Sequence, residues 1–105
     1  MPGTLLSVGV IASSATFAVA LISVGSAAVF GQGLAGAADA AALAAADAAS
    51  GAVTGVPCDR AADIAATAHA VLQRCDLDGL VATVVVSASF GRLPATATAR
   101  AGPPP

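Results

Sequence analysis

The chain has 105 residues, room for one small domain. Once its apolar N-terminal stretch is set aside, about 55–60 residues remain for a folded core, too few for a deep active-site cleft. Charged residues are only 10% and the mean hydropathy is +0.88, against about 25% charge in ordinary soluble domains; net charge is −2, and four scattered Arg with no Lys cannot build the basic surface that nucleic acid requires.

Residues 1–4 are an uncharged flank, and residues 5–30 read as a transmembrane helix. No charged side chain occurs before Asp39. The 26 residues from Leu5 to Phe30 carry only hydroxyls as polar groups. About 20 apolar residues cross a bilayer core of roughly 30 Å, so the stretch suffices with some tilt. Its Ser and Thr hydroxyls can bond back to the helix's own carbonyls, which makes them tolerable in lipid. A cleaved signal segment is the alternative. Ala18-Val19-Ala20 fits a cleavage pattern, but the flank has no basic residue and the apolar run is longer than an h-region. The expected location is a cell membrane, single-pass, with the N-terminus inside and Asp39 and Asp47 outside. The flanks offer no Lys or Arg to set that orientation. Small residues recur four apart, as in Gly9 with Ser13, Ser14 with Ala18, and Gly33 with Ala37, a spacing that lets helix backbones approach in lipid. Any span rich in Ala, Gly and Ser carries such pairs by chance as well.

Residues 31–50 read as an Ala-rich helical extension, with Gly31, Gly33 and Gly36 marking a weak point or bend. Asp39 and Asp47 fall near one side of this helix with Leu43 between them, a face that is solvated or read by a partner. Ser50-Gly51 ends it. Residues 51–57 are a linker.

Residues 58–101 form a small α+β external module. A helix is expected from Asp59 to Arg74, with Asp59 as N-cap, Asp63 in the first turn and Arg74 in the last. Ile64, Ala68, Val71 and Leu72 would form its apolar stripe. Asp76-Leu77-Asp78-Gly79 reads as a turn; it lacks the spacing and distal Glu of a calcium loop. Leu80–Phe90 alternates as a strand, with Leu80, Ala82, Val84, Val86, Ala88 and Phe90 facing the helix. Ala95–Ala101 is a weaker partner strand, and residues 102–105 a disordered Pro tail. The expected fold is therefore α+β and pilin-like: a long N-terminal helix, then a short helix packed on a β-hairpin.

Cys58 and Cys75 bracket the expected second helix. Seventeen helical steps span about 25 Å, whereas bridged Cα atoms lie about 5.5 Å apart. A bridge within the chain requires a shorter or broken helix; otherwise the thiols are free or pair with another chain. Two Cys and the lone His69 do not make a zinc site. His69 has no nucleophile partner, and no catalytic, cofactor-binding or metal residues are assigned.

The run Ala37-Ala38-Asp39-Ala40-Ala41-Ala42-Leu43-Ala44-Ala45-Ala46, directly behind an apolar helix, resembles the AADAAALAAA signature of TadE/TadG-like proteins of tight-adherence (Flp) pilus assembly. Cys58, Cys75, Asp78-Gly79-Leu80, the Val-rich strand and Ala99-Arg100-Ala101-Gly102 look like the short TadE-like proteins of helicase and secretion gene neighbourhoods. The resemblance covers nearly the whole chain, with Ala38, Asp39 and Leu43 in the signature. It implies a non-enzymatic pseudopilin-like or minor-pilin component whose partners are membrane lipid, further copies of itself and other pilin-like or secretion subunits, with no small-molecule substrate. Two features depart from the family. Prepilin processing follows a Gly and wants Glu at the fifth mature position, which after Gly3 would be Val8; and no basic residue precedes the helix. The readings from other classes are a single-span binding or regulatory subunit of another complex, and an exported soluble protein whose N-terminus is removed.

Overall fold

The apolar stretch and the Ala-rich extension form one helix, α1 (Pro2–Ala49). The structure, a computed structural model, describes residues 2–104; Met1 of the expected flank and Pro105 of the expected tail lie outside it. At about 1.5 Å per residue a helix of 48 residues is about 72 Å long, and the longest dimension of the molecule is 76 Å. The helix therefore runs unbroken through Gly31, Gly33 and Gly36, where a weak point was expected. Ala supplies the best helix propensity beyond these glycines. Leu34, Ala37 and Ala38 are already buried against the rest of the protein there, which splints the segment.

The end of α1 follows the expected pattern. Gly51 adopts φ +83, the Ala52 N–H donates to the Asp47 carbonyl at 2.9 Å and the Gly51 N–H to Ala48 at 3.2 Å. This is a Schellman cap, with glycine in the left-handed position it favours.

α2 (Pro57–Thr67) is shorter than expected, and Asp59 is not its N-cap. Pro57 opens the helix, its missing N–H being one that no helix would satisfy, so Asp59 falls within the first turn. α2 ends in a second Schellman cap, where Ala70 N–H donates to Ala65 at 3.0 Å and His69 N–H to Ala66 at 3.0 Å. His69 takes the left-handed position at φ 58 and is exposed, so it is a cap residue and not a helix-surface residue.

The chain then enters a strand, β1 (Val71–Asp78), that the expected helix and turn had covered. Arg74 lies in it, exposed and paired with Asp76 at 3.3 Å, and Val71 and Leu72 are strand residues too. β2 (Val81–Phe90) and β3 (Leu93–Ala101) form the expected hairpin, and the three strands make an antiparallel sheet in the order β1-β2-β3. The two helices cover one face of that sheet, α1 over β2 and β3, α2 beside β1. Ala82, Val84 and Val86 point into the layer between and are fully buried, as the alternation required. Their main cover is α1 and not α2: Ala38, Ala41, Ala42 and Ala45 have no exposed surface. The extension is thus half of the head's core. Only the side bearing Asp39 and Leu43 stays solvated.

Candidate functional site

Two features carry the functional argument: the bare half of α1 and its junction with the head. Leu5, Ile11, Phe17, Ile22 and Val29 are each more than 60% exposed, and no ionic side chain lies among them. In water such a surface is unfavourable at about 25 cal/mol per Å² of apolar area, so it requires a non-aqueous environment or a covering partner. Gly3–Ala49 is the one helix among the described residues long and apolar enough to cross a membrane, with a mean hydropathy of 2.2 over its best window. A signal segment meets the same test of length and composition.

The local hydrogen bonding suits an apolar surrounding. Ser7 Oγ donates to the Gly3 carbonyl at 3.0 Å, Thr16 Oγ1 to Ala12 at 2.9 Å and Ser23 Oγ to Val19 at 3.0 Å. These three hydroxyls, of the six in residues 5–30, are satisfied within their own turns, the bond expected for lipid-tolerated Ser and Thr. No described buried side-chain nitrogen or oxygen lacks a partner.

The small-residue pairs separate into two environments. Gly9 and Ser13 sit on the bare half and, with Leu5, Leu6, Val10 and Ser14, line a shallow open depression of about 420 Å³. Gly33 is exposed beside the head, while Ala37 is buried beneath it at 7% exposure, so this pair is already part-used within the chain. Of the signature residues, Ala38 is core, and Asp39 and Leu43 face out. Asp47 is half-buried. It lies between a depression shared with Leu43, Leu80 and Gly102 and another shared with Arg60, Asp63 and Ile64. Gly102 and Pro103, both exposed, line the first of these.

Cys58 and Cys75 are bridged, with their Cα atoms 5.8 Å apart. The bridge exists because α2 stops at Thr67 and the chain doubles back, bringing β1 alongside the first turn of α2. It ties the short helix to an edge strand. Arg60 fixes the linker by donating from Nε and Nη2 to the Thr54 carbonyl at 3.0 and 2.7 Å. Gly55, at φ +129, leaves space for that side chain; a Cβ there would stand 2.8 Å from Arg60 Nε. Among the described residues no three His, Cys, Asp or Glu side chains are grouped to hold a metal ion.

No described protein family, curated protein or solved structure matches the chain.

Proposed function

We propose that the protein is a membrane-anchored, non-enzymatic assembly subunit, pseudopilin-like or minor-pilin-like, whose apolar half-helix lies in the bilayer and whose disulfide-bridged head is displayed outside. One observation carries the reading. A single unbroken helix is bare, apolar and free of ions over its first half, and from Leu34 onward has one side buried in an α+β head. An anchor and a display platform are thereby joined with no flexible link. The resemblance of residues 37–46 to the TadE/TadG signature supports placing the subunit in a tight-adherence pilus or related secretion apparatus. Lateral packing through Gly9 and Ser13 would supply the contacts to neighbouring helices.

A specific observation weighs against removal of the N-terminus at Ala18-Val19-Ala20. Leu21, Ile22, Val24 and Val29 would remain at 57–73% exposure on a soluble product.

The test is intact mass together with carbonate-washed membrane fractionation of the expressed chain. The expected result is an uncleaved or near-N-terminally processed chain that only detergent releases. A soluble species beginning at Ser26 or later would overturn the anchor. Self-association is read by energy transfer between labelled copies in vesicles, where Gly9→Leu should lower it; an unchanged signal would remove the packing role of that face.

A further inference from the structure

The two ends of the head differ in chemistry. β2 runs back along α1, so Leu80 lies by Leu43 and Asp47 at the far end, while Phe90 meets Phe30 with ring centroids 5.1 Å apart. The turn joining β2 to β3 therefore points toward the bare half of α1. It exposes Phe90 at 38% and Leu93 at 69%.

Charge divides along the same axis. Asp39 lies nine residues beyond Phe30, about 13 Å farther along α1, and Asp47 about 25 Å. Asp63 shares a depression with Asp47, and Asp59 lies one turn before it in α2. Asp76 and Asp78 pair across from Thr83 and Val81, at the Leu80 end of the sheet. All six acids of the chain are thus away from the turn. The ionisable side chains at the near end are Arg92, in the turn itself, and His69, at the foot of α2. Leu77 and Leu80 are also exposed, at 41% and 46%, but they sit at the acidic end, beside Asp76, Asp78 and Asp47.

We propose that the Phe90–Leu93 turn is a second membrane contact: Phe90 and Leu93 settle among the lipid headgroups beside α1, and Arg92 meets lipid phosphate. The inference rests on the anchor reading above and adds to it how the head stands on the bilayer. Dimensions favour it. From Leu5 to Phe30 the helix is about 38 Å long, against a hydrocarbon core of about 30 Å and about 40–45 Å with the headgroup layers. Phe30, and the turn stacked beside it, then fall in the headgroup layer. An exposed aromatic and an exposed aliphatic with one cation and no nearby acid suit that layer.

The natural chain has no Trp and no Tyr, so a single introduced Trp reports its own surroundings. Three variants of the full chain are placed in vesicles containing brominated phosphatidylcholine: Phe17→Trp in the span, Leu93→Trp in the turn and Leu80→Trp at the acidic end. Phe17→Trp should be quenched by deeply placed bromines and Leu93→Trp by shallow ones, while Leu80→Trp keeps its emission. Phosphatidylglycerol should deepen the Leu93→Trp quenching, and Arg92→Glu in the same background should reverse that gain. Quenching of Phe17→Trp with none of Leu93→Trp leaves the anchor standing and overturns the second contact. Absence of quenching at Phe17→Trp overturns the anchor itself. A blue-shifted but unquenched Leu93→Trp puts protein over the turn in place of lipid, and equal quenching of Leu80→Trp means the head lies flat; either outcome refutes the proposal.

Discussion

Replacing both bridged cysteines, Cys58→Ala with Cys75→Ala, tests how the head holds itself together. The bridge joins residues 17 apart, and closing a loop of that size removes about 3 kcal/mol of conformational freedom from the unfolded chain. The head, from Phe30 to Gly102, has about 70 residues and an expected stability of about 4–10 kcal/mol. Loss of the bridge therefore removes a third or more of it, yet leaves most heads folded at room temperature. The readout is amide hydrogen exchange of β2 in detergent, because Val84 and Val86 are the largest fully buried side chains and their strand opens only with the core. A loss of about 3 kcal/mol speeds that exchange about a hundredfold, one factor of ten for each 1.4 kcal/mol. Thermal melts of the head should fall by about 12–24 °C on the same arithmetic. Exchange within about threefold of the natural chain, less than 1 kcal/mol by the same conversion, would refute the reasoning, since β1 and α2 would then be held without the bridge.

Two further substitutions probe the layer between helix and sheet. Val84→Asp puts an unpaired charge where no water reaches, and should unfold the head while α1 keeps its helicity in detergent; a normal thermal transition by circular dichroism would show that this face is open. Ala42→Leu forces the Cγ and two Cδ atoms of leucine into a site with no exposed surface, and should destabilise by about 1–3 kcal/mol in denaturant titration, whereas Ala40→Leu, on the exposed side of the same turn, should change little.

Where the residue pattern and the backbone period agree, the sequence is a good guide. Leu80–Phe90 alternates cleanly, and Ala82, Val84 and Val86 do point inward with Ala88 half-buried, whereas Leu80 and Phe90, at the two ends where the cover of α1 runs out, are exposed. Ser50-Gly51 stops α1 with the cap its glycine allows. β1 was not legible for a physical reason. A bulge between Leu72 and Arg74 inserts an extra residue, so the half-buried positions Leu72 and Cys75 are three apart, a helical spacing. His69 hid the helix end as well, since the left-handed cap position is ordinarily announced by glycine. With the helix drawn through to Arg74, the cysteines stood too far apart to bridge. The Ala run declared its helix but not its burial, because Ala is at home both in solvent and in a tight interface. Its exposed Asp39 and Leu43 were visible as a face; the closely packed side opposite them had no signal of its own. Nothing in composition or spacing revealed that the β2–β3 turn would come to rest beside Phe30.

The continuity of α1 also fixes direction around its axis. An ideal helix turns about 100° per residue, so Gly9 and Ala38, like Ser13 and Ala42, differ by only about 20° in azimuth. The notch formed by Gly9 and Ser13 accordingly looks out beneath the overhang of the head. Helices seated against such a notch have axes about 8–10 Å apart at the contact, too close for two heads if the axes stayed parallel. Two spans in one bilayer share one level, so copies meeting through the notch must cross, at about 40° for small-residue pairs, and their axes then diverge over the roughly 40 Å that separates the notch from the head. Crossing angle then becomes a selection rule for who can stand next to whom.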